Sequence, residues 1–199
     1  MQDSDTYKTV AVVSEGYINE QRSKFISFAL PVKSPEEVKE KIDSVRRKYY
    51  DATHVCWAYM LGAEHTLFRA NDDGEPSYTA GKPILNVIKS NCLTDILIVV
   101  VRYFGGVKLG TGGLILAYRN AAQKAIENAV IIEKTVNEEL TVVCEYPFLN
   151  SVMKIIKEEK PGILSLQFDN KCVFRLSLRK NNVQKLKDRL QKIETLKID

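Results

Sequence analysis

The sequence predicts an α+β protein of two domains. The chain has 199 residues, with 45% hydrophobic and 27% charged residues, as in an ordinary globular protein that buries a real core. An unbroken apolar run lies within Asp95–Phe104 and predicts a strand buried on both faces. From about residue 137 the pattern restarts with the order β-α-β-β-α, which is typical of a compact split β-α-β module.

The first domain is predicted to begin with strands 7–18 and 23–32, joined as a hairpin through Asn19–Arg22. A helix follows in SPEEVKEKIDSVRRKYY. Its start shows an N-cap residue, a proline at the first helical position and the glutamate of a capping box, which are Ser34, Pro35 and Glu37. The pattern then predicts a strand over Thr53–Leu61.

The rest of the first domain alternates between turns and regular elements. A strand at Thr66–Ala70 is predicted to pair with the preceding one, and residues 71–83 form a turn-rich loop before a short helix at Ile84–Lys89. After the strand at Asp95–Phe104, apolar and small residues repeat at helical spacing from near Leu114.

The second domain is predicted to contain two helices and three strands. The strands are Glu139–Tyr146, 162–169 and 171–178, and the helices are Pro147–Glu159 and Asn182–Ile193. The segment Ile132–Asn137 is the expected boundary, which gives domains of residues 1–134 and 137–199.

Net charge, cysteine content and the distribution of apolar residues limit the kinds of function to be considered. The net charge of +4 comes from 29 basic and 25 acidic residues, so charge alone does not argue for nucleic acid. The four cysteines, Cys56, Cys92, Cys144 and Cys172, form no CxxC pair and are expected to be reduced thiols. The N-terminus lacks a signal-peptide pattern and no apolar run suits a membrane span, so we expect a cytoplasmic protein without membrane contact.

The most informative segment is RYFGGVKLGTGGLILAY, between the apolar strand and the last helix of the first domain. Its five glycines leave backbone N–H groups unshielded at the positive end of a helix, which favours anions. Lys108 lies inside this turn and Arg102 at its mouth. The alternative is that the glycines only allow helix and sheet to pack closely.

Neither standard phosphate-binding motif is complete in this turn. Gly105 and Gly110 have P-loop spacing, but Thr111 stands where the lysine belongs. Gly110 and Gly112 begin a dinucleotide fingerprint, but Ile115 stands at the third glycine position. The sequence therefore predicts neither a P-loop NTPase nor a Rossmann enzyme.

The acidic loop is the second candidate feature. Asp72, Asp73 and Glu75 crowd three carboxylates around Gly74, which suits Mg²⁺ binding, acid–base work or a plain solvated turn. Lys82 and Arg69 are close enough in sequence to neutralise them. We expect this loop and the glycine turn to face each other across a groove.

His54 and Cys56 form the third feature, because alternate residues of a strand share a face. With His65 they supply only three soft ligands at a spacing unlike zinc sites, so we expect no metal. His54 is either a core residue or a group beside the acidic loop that acts in binding or proton transfer. Several aromatic residues lie among these elements, including Trp57, Tyr59, Tyr78, Tyr103, Phe104 and Tyr118.

In order and spacing, THVCWAY, NDDGEPSYTAGKPIL and VVVRYFGGVKLGTGGLILAY resemble the IMPACT family, in its bacterial YigZ-like branch. The resemblance covers about residues 15–130. It implies an N-terminal fold like the second domain of ribosomal protein S5, and a C-terminal ferredoxin-like domain similar to the last domain of elongation factor G. The eukaryotic relative is a translational regulator, so the implied role is RNA or ribosome binding.

The family's motif residues carry over as His54, Cys56, Asp72, Asp73, Gly74, Glu75, Pro76, Thr79, Ala80, Gly81, Arg102, Gly105, Gly106, Lys108, Gly110, Gly112 and Gly113. Lys82 follows Gly81 and joins the candidate binding residues. Two positions depart from the pattern. Tyr78 stands where the family usually has a small residue, often glycine, and Leu116 where it usually has an arginine.

The function expected from these features is RNA or ribosome binding that modulates translation, with no catalytic residue and no cofactor. One alternative is an enzyme acting on a phosphorylated metabolite or nucleotide through the acidic loop and glycine turn. The other is a protein-interaction adaptor. An anionic small molecule is a further possible ligand, and the sequence leaves the oligomeric state open.

Overall fold

The computed structural model describes residues 5–193 and 196–198. The chain divides into two compact units. One contains residues 7–134, and the other contains the chain from residue 135 onward together with Asp5 and Thr6. Each unit has α-helices and β-sheet, so the protein is of the mixed α/β kind.

A five-stranded sheet forms the centre of the first unit. Its strands are β2 (Ser14–Glu20), β3 (Ser23–Pro31), β4 (His54–Leu61), β5 (Leu67–Asn71) and β6 (Ile96–Tyr103). They lie in the order β2-β3-β6-β4-β5, and every neighbouring pair is antiparallel. Two further strands, β1 (Thr6–Val10) and β7 (Ile131–Thr135), pair separately.

Helices cover both faces of this sheet. They are α1 (Pro35–Lys48), α2 (Gly81–Ser90) and α3 (Gly110–Glu127). Side chains of α1 join one apolar cluster, and side chains of α2 and α3 join the other. Ser34 caps α1 as expected, since its hydroxyl accepts the Glu37 N–H at 3.3 Å.

Strand β6 is buried on both faces, as its unbroken apolar run predicts. Ile96, Ile98 and Val100 belong to the cluster under α2 and α3, and the alternate residues belong to the cluster under α1. All six residues from Ile96 to Val101 are fully buried. Because Arg102 continues this alternation, its side chain leaves the sheet on the α2 and α3 side.

Some predicted boundaries were wrong. The single strand expected over residues 7–18 is broken at residues 11–13, so only its second part, β2, forms the hairpin with β3. Helix α3 begins at Gly110, four positions before the expected start. The glycines before Leu114 are poor helix formers and have no apolar side chains, so the apolar repeat does not reveal this first turn.

The second unit has the predicted β-α-β-β-α order followed by one short strand. Its elements are β8 (Asn137–Cys144), a 3₁₀ turn (Tyr146–Phe148), α4 (Leu149–Glu159), β9 (Gly162–Phe168), β10 (Cys172–Arg179), α5 (Lys180–Leu190) and β11 (Lys197–Ile198). The sheet order is β11-β8-β10-β9, antiparallel throughout. Alternate residues of β8 and β10 form one apolar core with both helices. Within the described residues, no helix is both long enough and apolar enough to cross a bilayer.

Candidate functional site: the glycine-turn cavity

A buried ion pair joins the end of β6 to the acidic loop. The guanidinium Nη1 of Arg102 donates to Oε1 of Glu75 at 2.6 Å, and the two side chains are 6% and 3% exposed. The hydroxyl of Tyr118, on α3, donates to the same oxygen at 2.7 Å. These hydrogen bonds offset part of the cost of removing both charges from water. One strand, one loop and one helix are thereby held together.

The sheet register brings His54 to the same place. His54 pairs directly with Arg102 across β4 and β6, so both side chains leave the same face of the sheet. The His54 Nδ1 lies 2.7 Å from the carbonyl oxygen of Asp73. A carbonyl only accepts, so Nδ1 carries a proton and Nε2 lies on the side of Glu75, 3.9 Å from its Oε1.

Cys56 follows His54 on this face, as predicted, and it lies beneath the acidic loop. Its thiol donates to the carbonyl oxygen of Asp72 at 3.0 Å, and the sulfur is 3.3 Å from the Tyr118 hydroxyl. Burial raises the pKa of the Cys56 thiol, and burial likewise raises the pKa of the Tyr118 hydroxyl. Both groups therefore remain protonated at neutral pH and act as hydrogen-bond donors.

The two aspartates of the acidic loop bind parts of the protein itself. The Asp72 carboxylate accepts the backbone N–H groups of Tyr78, Ala80 and Gly81 at 2.8–3.0 Å, which holds the start of α2. The Asp73 carboxylate accepts the N–H of Val55 at 2.6 Å and pairs with Arg46 at 2.5 Å. Among the described residues, no group of three or more histidines, cysteines and acids is arranged to hold a metal ion.

The expected neutralising partners of this loop were wrong. Arg46 and Arg102 pair with its carboxylates, whereas Lys82 lies over the ring of Tyr78 at 5.4 Å. Arg69 lies on β5, on the opposite face of the sheet from His54. Sequence proximity misled here because α1 and β6, which are distant from the loop in sequence, bring Arg46 and Arg102 to it.

The glycine turn contains glycines of different kinds. A Cβ at Gly105 would lie 2.1 Å from the carbonyl group of Arg22, so this position packs against the β2–β3 hairpin. Gly106 and Gly110 have φ angles of +84° and +71°, which side-chain-bearing residues rarely adopt. A Cβ at Gly112 would meet nothing within 4 Å. Packing and backbone conformation thus account for three of these glycines but not for Gly112.

The N-terminus of α3 is open. No side chain of the described residues caps it, and its first turn has no acidic residue. The N–H groups of Gly110, Thr111 and Gly112 precede the first intrahelical bond, so they are available to an external acceptor. Lys108 is exposed and makes no ion pair with any described residue. The helix end and this lysine together carry uncompensated positive charge.

A cavity of about 390 Å³ joins these groups. On one side it is lined by Glu75 and Pro76 of the acidic loop, and on the other by residues 108–111 of the glycine turn. His54 and Arg102 also line it. The expected groove between loop and turn is therefore present, and we call it the glycine-turn cavity. Since Glu75 cancels the charge of Arg102, Lys108 and the α3 amides set its electrostatic sign.

Other predicted site residues lie elsewhere or act structurally. Thr79 donates its hydroxyl to the Pro76 carbonyl at 2.6 Å and is buried, and Gly81 packs against the backbone of Asn71. Lys82 lines a separate groove between α2 and α3. A Cβ at Gly113 would lie 3.1 Å from the Cβ of Leu109, the residue before α3.

Both departures from the family pattern are on the surface. Tyr78 has a φ angle of +67° and is 70% exposed, which explains why glycine suits this position. Leu116 is 57% exposed on α3.

Two residues of the site were not foreseen. Tyr118 fits the apolar repeat of α3, which indicates only that it is buried. A buried tyrosine hydroxyl usually has a polar partner, and this rule is the one signal for its hydrogen bond to Glu75. The fully buried Ser23 accepts the Gly105 N–H at 3.2 Å, and its hydroxyl lies 3.4 Å from Arg102 Nη2. A single serine in a strand carries no such signal in sequence.

Comparison with known proteins identifies the family of this chain. The model of the Impact N-terminal domain matches residues 21–126. The IMPACT family member YvyE of Bacillus subtilis is 34% identical over 169 residues, which cover 85% of this chain and 78% of YvyE. The IMPACT family member YigZ of Escherichia coli is 34% identical over 160 residues, covering 79% and 78%. A crystal structure of a hypothetical protein aligns with a TM-score of 0.76 at 29% identity, covering 98% of this chain and 97% of that one. The chain therefore belongs to the IMPACT family.

Proposed function

We propose that this protein is an RNA- or ribosome-binding regulator of translation that acts in the cytoplasm without chemistry of its own. The family resemblance supports a role in translation, because the eukaryotic member regulates it. The observation that carries the proposal is the glycine-turn cavity, where free helix N–H groups and Lys108 present positive charge to solvent. Phosphate groups are the ligands that such a site suits.

In this proposal the residues divide into two roles. Lys108 and the N–H groups of Gly110, Thr111 and Gly112 contact phosphate oxygens, and Gly112 lets the backbone approach them closely. Asp72, Asp73 and Glu75 support the site, because their carboxylates bind protein N–H groups and arginines. Arg102 and His54 form the polar floor of the cavity.

We also propose the finer fold assignment. The first unit is like the second domain of ribosomal protein S5, and the second is ferredoxin-like, similar to the last domain of elongation factor G. The order β11-β8-β10-β9 with two helices on one face supports the ferredoxin-like assignment.

The test is binding of the full chain to purified ribosomes and to total RNA at several salt concentrations. We expect affinity to fall steeply with salt, because phosphate contacts release bound cations from the nucleic acid. Lys108→Ala should weaken binding and lower the slope of log affinity against log salt by about 0.7. Lys39→Ala, an exposed lysine on α1, is the matched control and should change neither quantity.

Absence of binding to both targets at low salt would reject the proposal. An unchanged salt slope for Lys108→Ala would remove the glycine turn from it.

One observation favours a second candidate function, binding of a small phosphorylated metabolite or nucleotide. The glycine-turn cavity is within the size range of small-molecule sites, and His54 presents a ring nitrogen beside it. A thermal-shift screen of nucleotides and phosphorylated metabolites, with and without Mg²⁺, separates the two functions. Stabilisation by one such compound, lost in Lys108→Ala, would favour the small ligand over RNA.

A further inference from the structure

A second surface of the first unit combines aromatic rings with cations. A shallow depression of about 520 Å³ is lined by Tyr17, Arg22, Lys24, Ile26, Tyr103 and Phe104. We call it the aromatic platform. Tyr17 pairs with Ile26, and Lys24 pairs with Tyr103, so these side chains share the sheet face that carries α1. Tyr17 is 50% exposed and Phe104 is 46% exposed.

The charge of the aromatic platform is positive. Arg22 and Lys24 are exposed, and neither forms an ion pair with a described residue. Asp51 lies beside Tyr103, and its carboxylate accepts the Tyr103 hydroxyl at 2.7 Å. This bond fixes the ring and raises the pKa of Tyr103 to about 12, so the ring stays neutral. Rings beside free cations suit a ligand with flat apolar faces and negative charge.

The backbone of the hairpin tip supports a binding role for Arg22. Gln21 and Arg22 form the two-residue loop between β2 and β3, with φ angles of +43° and +68°. Such loops favour asparagine and glycine, because other residues are strained at positive φ. An arginine here therefore lowers stability relative to glycine while placing a cation beside the rings.

The aromatic platform adjoins the glycine-turn cavity. The carbonyl group of Arg22 lies against Gly105, where a Cβ would be only 2.1 Å away. Phe104 lines both the aromatic platform and the cavity. The two sites therefore meet at Phe104, with the platform on the α1 face of the sheet and the cavity on the α2 and α3 face.

We propose that the aromatic platform binds the unpaired bases of single-stranded RNA, which stack on Phe104, Tyr103 and Tyr17 beside Arg22 and Lys24. This inference rests on the proposed function, because it assumes that the phosphate-binding chain is RNA. It adds that recognition requires exposed bases, which a site for phosphate alone does not.

The experiment compares three labelled ligands by fluorescence anisotropy with the full chain. They are an unstructured oligoribonucleotide of about 12 residues, an abasic oligomer of equal length, and a duplex of the same sequence. We expect the unstructured RNA to bind at least about tenfold more tightly than the other two, because only its bases are free to stack. Equal affinity for the abasic oligomer would overturn the proposal, and so would preference for the duplex.

Phe104→Ala should weaken binding of the unstructured RNA about 5- to 100-fold and weaken binding of the abasic oligomer much less, because Phe104 also lines the glycine-turn cavity. Phe104→Trp should restore affinity. The matched control is Phe68→Ala, at the opposite sheet edge, where a 43% exposed ring lies under Lys89 at 4.1 Å. Equal losses for Phe104→Ala and Phe68→Ala would reject the aromatic platform.

Substitutions at the hairpin tip test the role of Arg22 without lowering the stability of the fold. Arg22→Gly and Gln21→Gly each remove one strained backbone conformation, so neither should lower the melting temperature. Only Arg22→Gly removes a cation, so only it should lose affinity, by severalfold. Retained affinity in Arg22→Gly would exclude Arg22 from binding.

The two proposals fail differently. If Lys108→Ala weakens binding of RNA and abasic oligomer alike while the platform variants have no effect, the phosphate site stands and the aromatic platform falls. If no ligand binds, both fall.

Discussion

The acidic loop and the glycine turn face each other across one cavity, but they differ in whether their polar groups have hydrogen-bond partners within the protein. In the loop, the carboxylates of Asp72, Asp73 and Glu75 all bind N–H groups or side-chain donors of the protein. In the turn, the first N–H groups of α3 and the ammonium group of Lys108 have no described side-chain partner. The loop thus resembles an interior and the turn a binding surface.

This difference shows that residue type alone does not indicate function. Three clustered carboxylates suggest a metal site, yet the fold uses each of them to hold a neighbouring element. A glycine suggests a flexible link, yet Gly112 is helical and unobstructed. The useful criterion is whether a polar group is already satisfied by the protein.

The largest expected effect comes from breaking the buried ion pair of the acidic loop. Glu75→Gln leaves the Arg102 guanidinium buried without its counter-charge, so we expect a loss of about 3–5 kcal/mol in the free energy of unfolding. Trp57, the single tryptophan, lies in this unit and reports its unfolding in urea by fluorescence.

The matched control is Glu127→Gln, because Glu127 pairs with Lys124 at the surface, where both side chains are about half exposed. It should cost less than about 1 kcal/mol. If both variants lost equal stability, the buried pair would have no special structural role.

A smaller loss is expected from filling the contact between the glycine turn and the hairpin. In Gly105→Ala the new methyl group would meet the Arg22 carbonyl at 2.1 Å, so the backbone must shift. We expect a loss of about 1–3 kcal/mol, as for other overpacked sites, measured by the same fluorescence titration. Stability equal to the parent protein would show that the turn moves freely relative to the hairpin.

Local patterns in the sequence predicted the parts of this fold that depend on local rules. The Ser34 cap of α1, the doubly buried β6 and the placement of His54 and Cys56 on one face are examples. The groove between loop and turn was also expected.

Contacts between distant strands were not predictable. The pairing of His54 with Arg102 depends on the register of β4 against β6, which no single segment specifies. The same limit explains the wrong partners proposed for the acidic loop. Arg46 and Arg102 reach it from α1 and β6, whereas Lys82 and Arg69 were only its neighbours in sequence.

Gly112→Ala tests the glycine turn, and this substitution is expected to raise stability. Its Cβ has room, and alanine is the better helix residue, so we expect stability to rise by up to about 1 kcal/mol. The same methyl group should hinder a phosphate at the helix end and weaken RNA binding. Urea unfolding and anisotropy on one sample measure both. A stabilised variant with full affinity would show that no ligand approaches this turn of α3.

The smallest effect concerns Tyr78, which bounds the acidic loop in a left-handed conformation. Tyr78→Gly and Tyr78→Ala both remove the ring and its contact with Lys82, but only glycine adopts a φ of +67° without strain. We therefore expect the glycine variant to be more stable than the alanine variant by about 1 kcal/mol, the cost of a left-handed residue. Thermal unfolding of the pair measures this difference. Equal stabilities would mean that the backbone relaxes at this position, and the bond from the Tyr78 N–H to Asp72 would then not restrain the loop.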